Sequence, residues 1–170
     1  MLRLRIQKIK LLILDVDGVL TDGKIIYDSR GNEVKHFDVQ DGFGIVFCQR
    51  LGLKTAIVTA RASKVVTIRA KDLKITKVYQ DAYPKIEAYK KLLKELGLKD
   101  EAVCFIGDDL PDLAVLKRVG FAVTVPNAVA EVKKIAHYIT KKSGGHGAVR
   151  EVIELILKTQ GKWKILLKGL

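Results

Sequence analysis

Short, continuous apolar runs alternate along this chain with longer stretches in which apolar residues recur every three or four positions. The runs fall at 11–15, 55–59, 77–79, 103–107 and 122–125, and the periodic stretches at 42–51, 63–71, 84–96, 111–119, 129–136 and 148–159. Runs such as Leu12-Ile13-Leu14 and Ala56-Ile57-Val58 carry no polar face, the pattern of strands covered on both sides in a parallel sheet. Strands alternating with helices predict an α/β fold wound as a doubly covered parallel sheet. One segment breaks the alternation. Lys24-Ile25-Ile26-Tyr27 and Glu33-Val34-Lys35-His36-Phe37 flank the turn-forming Asp28-Ser29-Arg30-Gly31-Asn32, which predicts a β-hairpin over 24–38, just beyond the first strand. Nothing marks a second domain, so residues 1–170 read as one domain with a tail at 144–170.

Composition narrows the class. Hydrophobic residues make up 48% and charged residues 29% of 170 positions, which suits a packed core and excludes a disordered chain. The formal charge of +12 favours anionic partners without separating nucleic acid from phosphorylated metabolites. Cys48 and Cys104 have no ligand spacing and read as small buried side chains in a reducing compartment. The basic start (Arg3, Arg5, Lys8, Lys10) precedes an apolar run that Asp15 cuts short, so neither a signal peptide nor a membrane span is expected, and the protein reads as cytoplasmic.

Ligands of open α/β sheets bind outside the carboxyl ends of the strands, and polar residues collect there. The first strand runs into Asp15-Val16-Asp17-Gly18-Val19-Leu20-Thr21-Asp22, another ends in Thr59-Ala60-Arg61, and a third in Gly107-Asp108-Asp109-Leu110-Pro111-Asp112. Lys85 opens the helix that follows 77–79. Carboxylates gathered at one edge repel one another unless a cation neutralises them, and hard oxygen donors favour Mg²⁺. Beside such an ion, Lys85, the Thr59 hydroxyl and loop amides are suited to hold a phosphate, one aspartate to attack it and the other to move a proton.

Four motifs in this order resemble the haloacid dehalogenase superfamily of phosphatases. The resemblance covers almost the whole chain. It implies Asp15 as nucleophile, Asp17 as general acid/base, and Thr59 and Lys85 as holders of the phosphoryl group. It also implies Mg²⁺ bound by Asp15, Asp108 and the backbone carbonyl of Asp17, with Asp109 or Asp112 in support. The gaps between motifs leave no room for the cap domain most members carry. The layout is similar to the capless 3-deoxy-D-manno-octulosonate 8-phosphate phosphatases, through Asp15 to Gly23, Gln40-Asp41-Gly42-Phe43-Gly44 and Gly144-Gly145-His146-Gly147-Ala148-Val149-Arg150-Glu151. That likeness implies a small sugar-acid phosphate as substrate and a homotetramer in which the hairpin makes the contacts and a neighbour covers each site. Phosphatases of acylneuraminate 9-phosphates share the scaffold and stand as the alternative. The group often has Thr-Gly-Arg where this chain has Thr59-Ala60-Arg61, and commonly Arg where it has His146. Phosphate contact at Ala60 uses the backbone amide, which alanine still supplies.

Several residues carry two readings. Arg61 has the planar fork to bind a substrate carboxylate, or stands as a surface arginine at a helix entrance. His146 and Arg150 lie on the tail as substrate contacts, with a plain surface loop as the other reading of His146. Asp41 reads as the cap of a helix beginning at Gly42. Lys24 and Lys35 read as solvated edge-strand lysines or as anion attractors, and His36 and His137 as structural. The segment 162–168 is basic and apolar, and docking on its own core or a neighbour is the reading taken over membrane-surface binding. A nucleic-acid-binding module would need stacking platforms, and aromatics are only 6%. A mutase would need a closed site.

Overall fold

The computed structural model describes residues 2–168; the last two positions of the expected tail lie outside them. Helix α1 (Leu2–Gln7) leads into β1 (Leu11–Leu14), the hairpin strands β2 (Ile26–Tyr27) and β3 (Glu33–Val34), and α2 (Val39–Arg50). Then come β4 (Lys54–Val58), α3 (Lys64–Asp72), β5 (Lys77–Tyr79), α4 (Lys85–Leu96), β6 (Val103–Ile106), a 3₁₀ turn (Leu110–Asp112) and α5 (Leu113–Leu116). The chain ends with β7 (Phe121–Thr124), α6 (Ala130–Ile135), β8 (Tyr138–Ile139), α7 (Ala148–Thr159) and α8 (Trp163–Lys168).

Six strands form one parallel sheet in the order β5-β4-β1-β6-β7-β8. The winding expected from the apolar runs is present, with no cap among the described residues, and the order reverses between β1 and β6. Leu11, Leu12, Ile13 and Leu14 are each fully buried, because helices cover both faces of β1. Helices α1, α2 and α7 pack together on one face, and α4, α5 and α6 on the other. Three elements escaped the sequence reading, α1, β8 and α8. All are short, and β8 contributes only Tyr138 and Ile139 to its pairing with β7. The helix expected over 111–119 shrinks to α5, because Pro111 sits in the tight turn that precedes it.

The α2–α7 packing corrects the reading of Asp41. Asp38, in extended conformation, caps α2, its carboxylate accepting from the amides of Gln40 (2.6 Å) and Asp41 (3.3 Å). Asp41 instead turns across to α7, and its Oδ1 accepts the Arg150 amide at 2.7 Å while Oδ2 is buried without a partner. Trp163 of α8 packs against the core, with the Arg150 guanidinium 5.4 Å from its ring, so this part of the tail docks on its own domain.

Burial pushes the Asp41 carboxyl up to about 6, the Arg150 amide opposing and the Asp38 carboxylate adding to it. A folded value above the unfolded one means that charging Asp41 costs stability, beginning as pH rises past the model-compound value of 3.8 and complete above about 6. Asp41→Asn, uncharged throughout, is therefore expected to gain on the wild type across that window by roughly 2–3 kcal/mol. Urea unfolding of both proteins at acid and neutral pH measures the difference.

Candidate active site

The switch in strand order decides where the acids meet. β1 and β6 are neighbours in register, Leu14 opposite Ile106, so the residues that follow them emerge side by side. Asp15 comes directly after β1, and Asp108 two residues beyond β6. Asp112 follows from the 3₁₀ turn. Carboxylate oxygens of Asp15, Asp108 and Asp112 all lie within 4.8 Å of one another. Gly18, at φ +90°, makes this approach possible: a Cβ there would stand 2.0 Å from Asp108 Oδ2.

Lys85 is the first residue of α4, after Pro84 at the N-cap, and its side chain is buried in this cluster. Its Nζ donates to Asp112 Oδ1 at 2.6 Å and contacts Asp15 Oδ2 at 2.9 Å. Asp112 Oδ2 accepts the amides of Asp108 (2.9 Å) and Asp109 (3.2 Å), while Asp15 Oδ1 accepts the Val16 amide at 2.7 Å. Of the two supporting acids expected, Asp112 joins the cluster. Asp109 is exposed and caps the 3₁₀ turn through Leu110.

Three carboxylates facing one ammonium leave a formal −2 when all are ionised. Burial and mutual repulsion act on these groups together. Burial first, then the Asp112 charge, pushes the Asp15 carboxyl up to about 7 against the pull of Lys85. Burial first, then Asp15 and Asp112, pushes Asp108 up to about 8. Burial disfavours the Lys85 cation, but Asp15 and Asp112 outweigh it and hold that group above its ordinary value. Asp108 Oδ1 is buried and accepts no hydrogen bond. An orphaned carboxylate oxygen among hard oxygen donors with excess negative charge fits a divalent cation.

The other residues singled out in the sequence stand on the segments after β1 and β4 and on the tail. Thr59 follows β4, 2% exposed, anchored by its amide to Tyr79 O at 2.9 Å, and its hydroxyl has no protein partner among the described residues. Ala60 is half-buried beside it. Asp17 extends from the 15–22 loop to the hairpin, where Lys35 Nζ donates to its Oδ1. Arg61 Nη2 lies 3.0 Å from Glu33 Oε1, and its Nε lies 3.7 Å from Asp17 Oδ2. His146 is exposed, and the Asp22 carboxyl is held below the usual range chiefly by the Lys24 amide and then the Lys24 side chain. Arg150 is not brought in with them. Its guanidinium pairs with Glu154 at 2.8 Å and lies over Trp163, so among the residues expected to meet substrate it is the one spent on packing.

Sequence reasoning missed two supports. Asn127 Nδ2 donates to Gly18 O and its Oδ1 accepts the Gly144 amide, both at 2.9 Å. This ties the 15–22 loop to the tail, and Gly144 is obligatory because a Cβ there would lie 1.8 Å from Gly18 O. The second is Lys35 with Glu33. Their side chains are 1% and 15% exposed, which corrects the reading of Lys35 as a solvated edge lysine. Lys24, 75% exposed and paired with Asp22, fits that reading.

Comparison with known proteins adds what geometry cannot. Residues 53–153 match the sequence profile of the haloacid dehalogenase-like hydrolases. The 3-deoxy-D-manno-octulosonate 8-phosphate phosphatase of Escherichia coli K12 is 44% identical over 156 residues, 92% of this chain and 83% of that one. A crystal structure of the Moraxella catarrhalis phosphatase of that name, in complex with magnesium, phosphate and 3-deoxy-D-manno-octulosonate, superposes with a TM-score of 0.96 at 43% identity, covering 99% of this chain and 97% of the other. The cobalt-bound Haemophilus influenzae protein gives 0.91 at 35% identity, with coverage of 95% and 94%.

Relieving the −2 cluster should stabilise the fold. With Mg²⁺ at about a hundred times its dissociation constant the gain is about 2.7 kcal/mol, or roughly 5–10 °C in Tm. Calorimetry with Mg²⁺ and with EDTA checks this, and in Asp108→Asn the increment should shrink to under about half.

Proposed function

The chain belongs to the haloacid dehalogenase-like hydrolases, and on that premise we propose that it hydrolyses 3-deoxy-D-manno-octulosonate 8-phosphate to the free sugar acid and phosphate. The observation that carries the reading is the buried Asp15–Lys85–Asp112–Asp108 cluster at the β1/β6 reversal. The identity to phosphatases of that substrate supports the sugar acid over the acylneuraminate alternative.

Asp15 Oδ attacks phosphorus in line, and the bond from phosphorus to the sugar oxygen breaks while Asp17 gives that oxygen a proton. A water molecule then attacks the phosphoaspartate, Asp17 takes the proton from it, and the Asp15 carboxylate leaves. Lys85 and the Thr59 hydroxyl hold phosphoryl oxygens, joined by the Ala60 amide. Asp15, Asp108 and the Asp17 carbonyl would hold Mg²⁺, while Asp112 orients Asp108 by accepting its amide. When bound, Mg²⁺ supplies charge neutralisation for the phosphoryl oxygens. Arg61 and His146 face the sugar acid.

The chain acts as one catalytic domain in the cytoplasm. Among the described residues no helix is long and apolar enough to cross a membrane. The assembly is a homotetramer formed through the hairpin. Exposed Ile25, Tyr27 and Val34 on and beside β2 and β3 support it.

Asp15→Asn is expected to lower turnover at least about a thousandfold with the fold intact. Asp17→Asn should slow both half-reactions. Phosphate release from the two sugar-acid phosphates, with Mg²⁺ and with EDTA, tests the substrate; equal rates on both would overturn the assignment. Light scattering should give four copies per particle, and an active monomer would remove the tetramer.

A further inference from the structure

The hairpin does more than present an apolar edge. Lys35, with a side chain 1% exposed, sits between two carboxylates, donating to Asp17 Oδ1 and lying 3.2 Å from Glu33 Oε1. A lysine directly after a two-residue edge strand has water available to it, and turning inward forfeits that hydration. Glu33 is itself held on three sides. It accepts from Arg61 Nη2 at 3.0 Å and from the Ser63 hydroxyl, and it faces Lys35. Ser63 in turn caps α3, so the hairpin is fastened to the β4–α3 junction.

Two cations face Asp17, Lys35 and Arg61. Glu33 draws the Arg61 guanidinium to itself and leaves it 3.7 Å from Asp17 Oδ2. Among the described residues Oδ1 therefore accepts the one hydrogen bond made to the Asp17 side chain, and Oδ2 accepts none. We infer that Lys35 is a positioning residue for Asp17, fixing Oδ1 so that Oδ2 is the oxygen that carries the proton to and from the reacting centre. The inference rests on the phosphatase reading above and adds a residue to it. Its physical content is orientation: a carboxylate on two rotatable bonds loses catalytic effect when its productive geometry is one of several.

The test uses the full-length protein with Mg²⁺. In Lys35→Met, kcat on the sugar-acid phosphate should fall about 10- to 100-fold with KM changed less than about threefold. Lys35→Arg should restore kcat to within about fivefold of wild type. p-Nitrophenyl phosphate separates the half-reactions, because its leaving group needs no proton. On it the methionine variant should release a burst of about one equivalent of nitrophenolate before a slow steady state, since only the water-activating step then needs Asp17. Glu33→Gln loosens the hairpin without removing Lys35 and should raise KM without a burst. If the methionine variant does not fold, Lys35→Gln carries the same expectation with a smaller loss. Wild-type kcat in Lys35→Met, or a loss that appears only in KM and without a burst, overturns the role of Lys35. Wild-type protein that releases no phosphate overturns the phosphatase reading beneath it.

Discussion

Two parallel strands that lie side by side and end level with one another set the chemistry of this protein. The sheet order reverses between β1 and β6, so no helix crosses the space beyond their ends, and the chain leaving each strand is free to bend toward the other. Asp15 and Asp108 are pressed together by that topology, and burial with neighbouring carboxylates pushes both above the ordinary carboxylate range. Lys85 answers one charge of the three, and Asp112 is held by two amides and the Lys85 ammonium. The remainder is a demand for a cation that the fold creates and does not itself satisfy.

What could be read in the residues divides along a physical line. The parallel sheet was legible because strands buried on both faces, such as β1, need unbroken apolar runs. The clustering of polar groups at that edge was legible because polar residues in that position have few structural uses. Elements stabilised by neighbours rather than by their own pattern were not: β8 exists because β7 offers it an edge, and α1 because Ile6 finds a place in the core. Asp41 shows the same limit. The letters around it announce a cap, but which helix it caps depends on the packing of α2 on α7, between residues 109 apart.

Lys35 was the costliest omission, and the signal was present. Residues two apart on a strand share a face, so Glu33 and Lys35 had to point the same way with Val34 opposite. The hairpin's place beyond β1 put that face toward Asp17. Read one residue at a time, each charge was ordinary for an edge strand. Read as a pair facing Asp17, they described a contact. Arg150 is the opposite case: a residue that matched a family stretch on the tail is engaged by Glu154 one turn along α7 and by Trp163 of α8.

The basic balance of the whole chain has to be separated from the charge at the site. A net +12 attracts anions over the whole surface, but the cluster itself is negative, and a phosphate approaching bare carboxylates is repelled. Arg61 and Lys35 stand at the entrance, yet Glu33 and Asp17 already neutralise them. Their charges are therefore spent within the protein rather than left to attract, while Lys24 is paired with Asp22 at the loop's end. In a site without a cap, water can screen every exposed charge, so the groups that retain their strength are the buried ones. Lys85, unlike the many surface lysines, is such a group. The open site also gives the hairpin a structural use, because Lys35 binds Asp17 where no cap among the described residues covers it.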